Sequence, residues 1–131
     1  TTVTLTNFMF NIPFRRKQVY LRGARLVEEV TRRLEMIALA HPQIAFRLTY
    51  IPEDKVLIDK RKVSSLRAAF AELYGLPKAN LLQWSEVEGD GLSAQLLLSA
   101  IDCLHPTKDL QYVYVNRKPV LGTPIHQHLN A

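Results

Sequence analysis

The chain opens on TTVTLTNFMFNIPFRRK, where Thr2, Thr4 and Thr6 alternate with Val3, Leu5 and Asn7. Period-two alternation of β-branched and apolar residues predicts a strand with one face buried and one wet. Phe8, Met9 and Phe10 follow without a polar break and read as an aromatic plug at the strand's end. Pro13 has no N–H for a ladder, so the chain cannot continue as a regular inner strand. Arg15, Arg16 and Lys17 then leave the core for solvent.

Helical spacing takes over next. Val27, Val30, Leu34 and Ile37 fall on one face of a helix predicted over 24–40, which Pro42 ends. Glu28 with Arg32, and Glu29 with Arg33, stand at i, i+4 on the wet side, each pair contributing only about 0.2–0.5 kcal/mol. A strand is predicted over 43–50, a hairpin turn at Pro52-Glu53-Asp54-Lys55 and a short return strand over 56–59. Ser64 or Ser65 can cap a second helix whose apolar face is Leu66, Phe70 and Leu73, with Gly75 placed for a left-handed C-terminal cap. Strands over 81–87, 92–100 and 110–115 follow, the first two joined by Glu88-Gly89-Asp90-Gly91. Thr123-Pro124 starts a terminal helix. This order predicts an α+β fold, a two-layer sandwich with helices on one face of a mixed sheet.

At 131 residues, 47% hydrophobic and 22% charged, the chain can bury one two-layer core, and a single domain over 1–131 is expected. Cys103 is the one cysteine, so no internal disulfide can form and a reducing compartment is the easier reading. No apolar run approaches the roughly 18–20 residues needed to span a bilayer, so no membrane partner is expected. Seventeen Lys plus Arg against twelve Asp plus Glu give +5, a balance that attracts polyanions without naming one.

Two cation groups are candidate phosphate contacts: Arg15, Arg16 and Lys17 after Pro13, and Arg117 and Lys118 on the turn after a strongly β strand. The plain alternatives are a solvated turn and an exposed hairpin. Arg25, Arg32 and Arg33 could widen such a surface, although neighbouring glutamates favour a solvated helix face. His126 and His128 stand two apart and diverge, so no metal site is expected. Cys103 with His105 lacks an orienting third group, and no catalytic residue is expected. The turn chemistry of Asp90-Gly91 accounts for the acidic cluster of Glu86, Glu88 and Asp90 without a cation. Trp84, Tyr112 and Tyr114 could stack on bases, but aromatics alternating along strands more commonly pack across them.

Several segments resemble MutL-type DNA mismatch-repair proteins. Thr1-Thr2-Val3, Asn7-Phe8, Asn11-Ile12-Pro13 and Arg15-Arg16-Lys17 are similar to the family's G-T-x-V-x-V-x-x-L-F-x-N-x-P-A-R-R-K. Ala38-Leu39-Ala40-His41-Pro42 with Ile44-Ala45-Phe46 resembles its helix end and returning strand. Tyr112-Val113-Tyr114-Val115-Asn116-Arg117-Lys118-Pro119-Val120 resembles its Y-x-F-V-N-G-R-x-V strand and turn. Phe14 stands where the family has a small residue, Gln18 and Val19 replace an apolar pair, and Arg117 replaces a glycine, as in a divergent, eukaryotic-type homologue.

The resemblance implies a transducer domain of the ribosomal protein S-five domain-two-like fold, with a left-handed βαβ crossover against the usual right-handed preference. It implies an excised part of a larger protein, in which an upstream GHKL domain binds ATP and Mg and this domain couples that binding to dimer movement and DNA binding. No cofactor residue falls in this chain, because the family's nucleotide-reaching lysine lies in an N-V-H-P-x-K segment beyond Ala131. Implied partners are double-stranded DNA held by its backbone, a MutL-family subunit and a MutS-type protein. The implied location is nuclear, or cytoplasmic for a bacterial protein. The alternatives are a stand-alone basic nucleic-acid-binding or ribosome-associated domain, and a small hydrolase using Cys103.

Overall fold

The computed structural model describes residues 2–7, 9–100 and 110–129. Phe8, Cys103 and His105, singled out above, lie outside them. Helix α1 (Pro13–Leu21) carries its proline in the first turn, where the missing N–H would have had no helical partner. Arg22 interrupts the helical path, and α2 (Gly23–Ala40) follows directly. Glu29 and Arg33 form their predicted pair, Oε1 lying 3.1 Å from Nη2.

The buried side of α2 is Met36, Ala38 and Leu39, whereas Val30 and Ile37 of the predicted apolar face are exposed. The reason is positional, since β2, α3 and β6 all pack on α2, and bonds from Lys60, Tyr74 and Tyr114 reach its C-terminal turns at His41, Glu35 and Met36. Strand β1 (Phe46–Tyr50) pairs antiparallel with β2 (Lys55–Lys60), the chain reversing through a 3-10 turn at Ile51–Glu53. Helix α3 (Leu66–Tyr74) is capped by Ser65, whose Oγ accepts the Ala68 N–H at 3.1 Å. Gly75 has the expected positive φ of 90°, but its ψ of 153° lies outside the left-handed cap region. The chain therefore turns straight into a short α4 (Leu76–Asn80) that periodicity did not foresee.

Strands β3 (Leu82–Gly89) and β4 (Leu92–Ser99) form a long hairpin closed by Asp90 and Gly91, both at positive φ as its two-residue turn requires. Strands β5 (Val113–Val115) and β6 (Lys118–Val120) form a short hairpin, and α5 (Pro124–Leu129) follows.

The coarse α+β expectation holds, and its finer form requires correction. The described strands make three separate two-stranded antiparallel sheets, so neither one mixed sheet with helices on one face nor a left-handed βαβ crossover is formed among them. Short reversals lay the second strand of each pair beside the first, whereas parallel pairing needs a long crossover to a shared sheet. The opening strand is also absent. Residues 2–6 take no regular structure, with Val3 and Leu5 about four-fifths exposed. Asn7 and Met9 adopt positive φ and turn the chain, closing Phe10 N–H to Asn7 O and Ile12 N–H to Met9 O. Phe10 consequently faces solvent instead of plugging a core, and Phe14 on α1 is exposed as well.

The most constrained side chain is Lys60, 1% exposed. Its ammonium donates to the carbonyls of Ile44 (2.7 Å), Pro42 (2.9 Å) and His41 (3.3 Å), with Arg61 O at 3.4 Å. The Phe46 ring, opposite it in the β1–β2 register, lies 5.5 Å from Nζ. The ammonium sits just past the end of α2, where the His41 and Pro42 carbonyls also accept the backbone N–H groups of Ile44 and Val63, and it meets the negative end of the helix dipole. Burial pulls its pKa down from the usual lysine range, with Glu72 opposing.

Beside it, Arg61 grips Glu72 of α3 through Nη2 (2.7 Å), Nε (3.0 Å) and the backbone N–H (3.2 Å). These bonds lower the Glu72 carboxyl to about 2. Because that value lies below the ordinary one, Glu72 stabilises the fold fully above about pH 4.5, and the contribution is lost as pH falls through about 2. Urea melts of Glu72→Gln should show lower stability than wild type at pH 7, with the gap closing across that window. Lys60→Met should lose about 1–3 kcal/mol in urea melts, the cost of leaving one carbonyl, that of Ile44, without its donor, since the His41 and Pro42 carbonyls keep their backbone donors.

Candidate nucleic-acid interface

The β5–β6 turn is the most constrained cationic element. Only Asn116 and Arg117 separate the strands, and both take positive φ, 50° and 63°. This is the two-residue geometry that matches strand twist, and it favours Asn followed by Gly. Asparagine tolerates the left-handed region, whereas an arginine there pays for a Cβ set against its own carbonyl by about 1–2 kcal/mol. Arg117 and Lys118 are exposed and, among the described residues, have no carboxylate partner.

The platform beneath the turn is aromatic. Tyr112 and Tyr114, two apart, both reach back toward one turn of α2. Tyr114 Oη donates to the Met36 carbonyl at 2.9 Å. Tyr112 Oη lies 2.6 Å from Tyr74 Oη of α3, which donates to Glu35 Oε2 at 3.1 Å. The Tyr74 and Tyr112 rings stack at 6.3 Å between centroids, and Phe70 lies 4.6 Å from Tyr74. Burial raises Tyr114 above the ordinary tyrosine range, and burial followed by the Tyr112 hydroxyl raises Tyr74. Burial also raises Glu35, with the Tyr74 hydrogen bond and Arg32 opposing.

Arg15, Arg16 and Lys17 lie in the first turns of α1, correcting the reading of a solvated turn after Pro13. No acid accompanies them at the positive end of this helix, so the local potential is strongly positive. The Arg16 guanidinium lies 5.7 Å from the Tyr20 ring centroid and 6.0 Å from that of Phe10. Phe10, Pro13, Arg16, Lys17, Tyr20 and Leu21 line an open groove. The two cation groups are anchored toward opposite ends of α2. α1 joins it before Gly23, while Tyr114 bonds at Met36, about 20 Å further along at 1.5 Å per residue.

Other candidates find local duties. Glu86 accepts the Gln95 amide at 3.0 Å, Asp90 occupies the hairpin turn, and His126 Nδ1 lies 2.9 Å from Thr123 Oγ. Among the described residues no three His, Cys, Asp or Glu side chains gather as a metal site, and no helix is long and apolar enough to cross a membrane. The tyrosine network escaped the sequence reading, although Tyr112 and Tyr114 at i, i+2 were its available signal. Lys60 gave no signal, since a lysine ending a strand normally reads as exposed.

A shared architecture with DNA-repair proteins comes first from structure. The fold superposes on the crystal structure of the N-terminal domain of a DNA repair protein with a TM-score of 0.67, at 20% identity, over 86% of this chain and 38% of that one. No family model matches the chain. Among curated proteins, it is 31% identical to human DNA mismatch repair protein Mlh3 over 97% of its own length. It is also 31% identical to MutL of Thermodesulfovibrio yellowstonii and 34% identical to MutL of Mannheimia succiniciproducens, each over 92% of this chain. Over nearly its whole length the chain is similar to DNA mismatch-repair proteins of the MutL type. It spans 8% of the length of Mlh3, 22% of the first MutL and 19% of the second.

Replacing Arg117 with glycine should relieve the turn and raise stability by up to about 1 kcal/mol in thermal melts, because glycine accepts positive φ without penalty but adds unfolded-state entropy.

Proposed function

We propose that this chain is a single transducer-type domain of a mismatch-repair protein, and that it presents exposed cations to the phosphate backbone of double-stranded DNA. The observation that carries this reading is the β5–β6 turn, where Arg117 and Lys118 project from a hairpin tied to α2 with no carboxylate partner among the described residues. Phosphates need only a cation with reach, and a rigid turn fixes where that cation stands. Arg15, Arg16 and Lys17 form a second contact group on α1. DNA binding of this kind carries no sequence preference, since contacts to phosphate oxygens carry no base information.

In the whole protein, ATP and Mg bound by an upstream GHKL domain would drive dimerisation with a MutL-family subunit and swing this domain onto DNA delivered with a MutS-type protein. The compartment is the nucleus, or the cytoplasm in a bacterium. The domain's own residues bind and position, and the chemistry of ATP belongs elsewhere. Matches spanning most of this chain in MutL-type proteins favour this reading over a ribosome-associated domain.

Fluorescence anisotropy with labelled duplexes of unrelated sequence tests the proposal. Affinity should be similar for all duplexes and fall with salt, and Arg117→Ala should reduce the slope of log K against log salt by about 1. Absence of binding at low ionic strength would refute a DNA role for this chain. The chain alone should hydrolyse no ATP in a phosphate-release assay.

A further inference from the structure

We infer that Glu35, Tyr74 and Tyr112 form a hydroxyl relay that sets the bearing of the Arg117–Lys118 turn, making them positioning residues for DNA contact. The inference rests on the DNA-binding reading of that turn. Tyr74 Oη gives its single proton to Glu35, so in the 2.6 Å contact with Tyr112 it accepts. Tyr112 therefore donates to Tyr74, Tyr74 donates to Glu35, and the chain of donors runs one way into the carboxylate. Polarised in sequence, each bond strengthens the next.

Geometry gives this relay leverage over the turn. Three residues per strand are too few to hold a hairpin's orientation on their own. Tyr114 pins one point of β5 to the Met36 carbonyl, and a single pin leaves rotation about it. The Tyr112 bond supplies a second pin two residues earlier, and both pins end on consecutive α2 residues, Glu35 and Met36. Two fixed points define a direction for the strand, and the turn lies at the end of that direction. The relay also crosses from the hairpin through α3 to α2, so it references the cations to the main helix.

The experiment is a double-mutant cycle on the full chain, read by anisotropy with a labelled duplex, with circular dichroism confirming the fold of each variant. Tyr112→Phe keeps the ring and removes the donor. It should weaken binding about threefold to tenfold in the wild-type background, the scale of one net hydrogen bond. In an Arg117→Ala/Lys118→Ala background the same change should cost nothing further, because the turn no longer carries the cations being aimed. Tyr74→Phe should reproduce the pattern. Arg117→Ala without effect on affinity would remove the DNA reading of the turn and the inference with it. Arg117→Ala with a loss, alongside an unchanged Tyr112→Phe, would overturn the positioning role alone. Equal Tyr112→Phe losses in both backgrounds would also overturn it. Independently of DNA, Tyr112→Phe should shift the backbone amide resonances of Asn116 and Arg117, and unmoved resonances would contradict the relay.

Discussion

A single buried ammonium organises the centre of this molecule. Lys60 closes the C-terminal end of α2 by gathering the carbonyls of His41, Pro42 and Ile44, and in doing so ties the helix end to the final residue of β2. The small apolar core of Met36, Leu39, Ile58 and Ala69 assembles from the elements that meet at this junction. Burying a charge is tolerable only when nearly every donor finds an acceptor, and here backbone oxygens do what a carboxylate does in a buried ion pair. Arg61, the next residue, extends the junction to α3 through Glu72. One strand end therefore fixes two helices.

The same end of α2 serves the cationic turn. Tyr114 and the Tyr112–Tyr74–Glu35 series terminate on Met36 and Glu35, a few residues before the carbonyls that Lys60 holds. Core order and the placement of Arg117 are thus linked through a few turns of helix. The cations on α1 stand apart from this arrangement, because α1 contributes no buried residue.

Local chemistry in the sequence announced much of this. The Ser65 cap, the Asp90-Gly91 turn, the Glu29–Arg33 pair and the antiparallel hairpins follow from residues within a few positions of one another. Long-range choices were less legible. The apolar periodicity of α2 is genuine, but which residues it buries depends on where β2, α3 and β6 dock, and that displaced burial from Val30 and Ile37 to Met36 and Leu39. Thr2 to Leu5 have the alternation of a strand, yet a strand exists only if an edge receives it, and none does among the described residues. At the candidate site the cations were visible as residue types, while their aromatic platform depended on Glu35 and Tyr74, remote in sequence.

The burial of Lys60 alters how the formal charge of +5 should be understood. A polyanion approaching this molecule makes no direct contact with that lysine, which is held on backbone oxygens inside, and it meets Arg33 and Arg61 already matched by Glu29 and Glu72. What it encounters is a sparse and uneven landscape in which a few cations, at the helix start and at the hairpin tip, stand out from a nearly neutral body. Attraction at a distance follows the net charge, whereas orientation on arrival is decided by where those few charges stand and not by how many the composition counts.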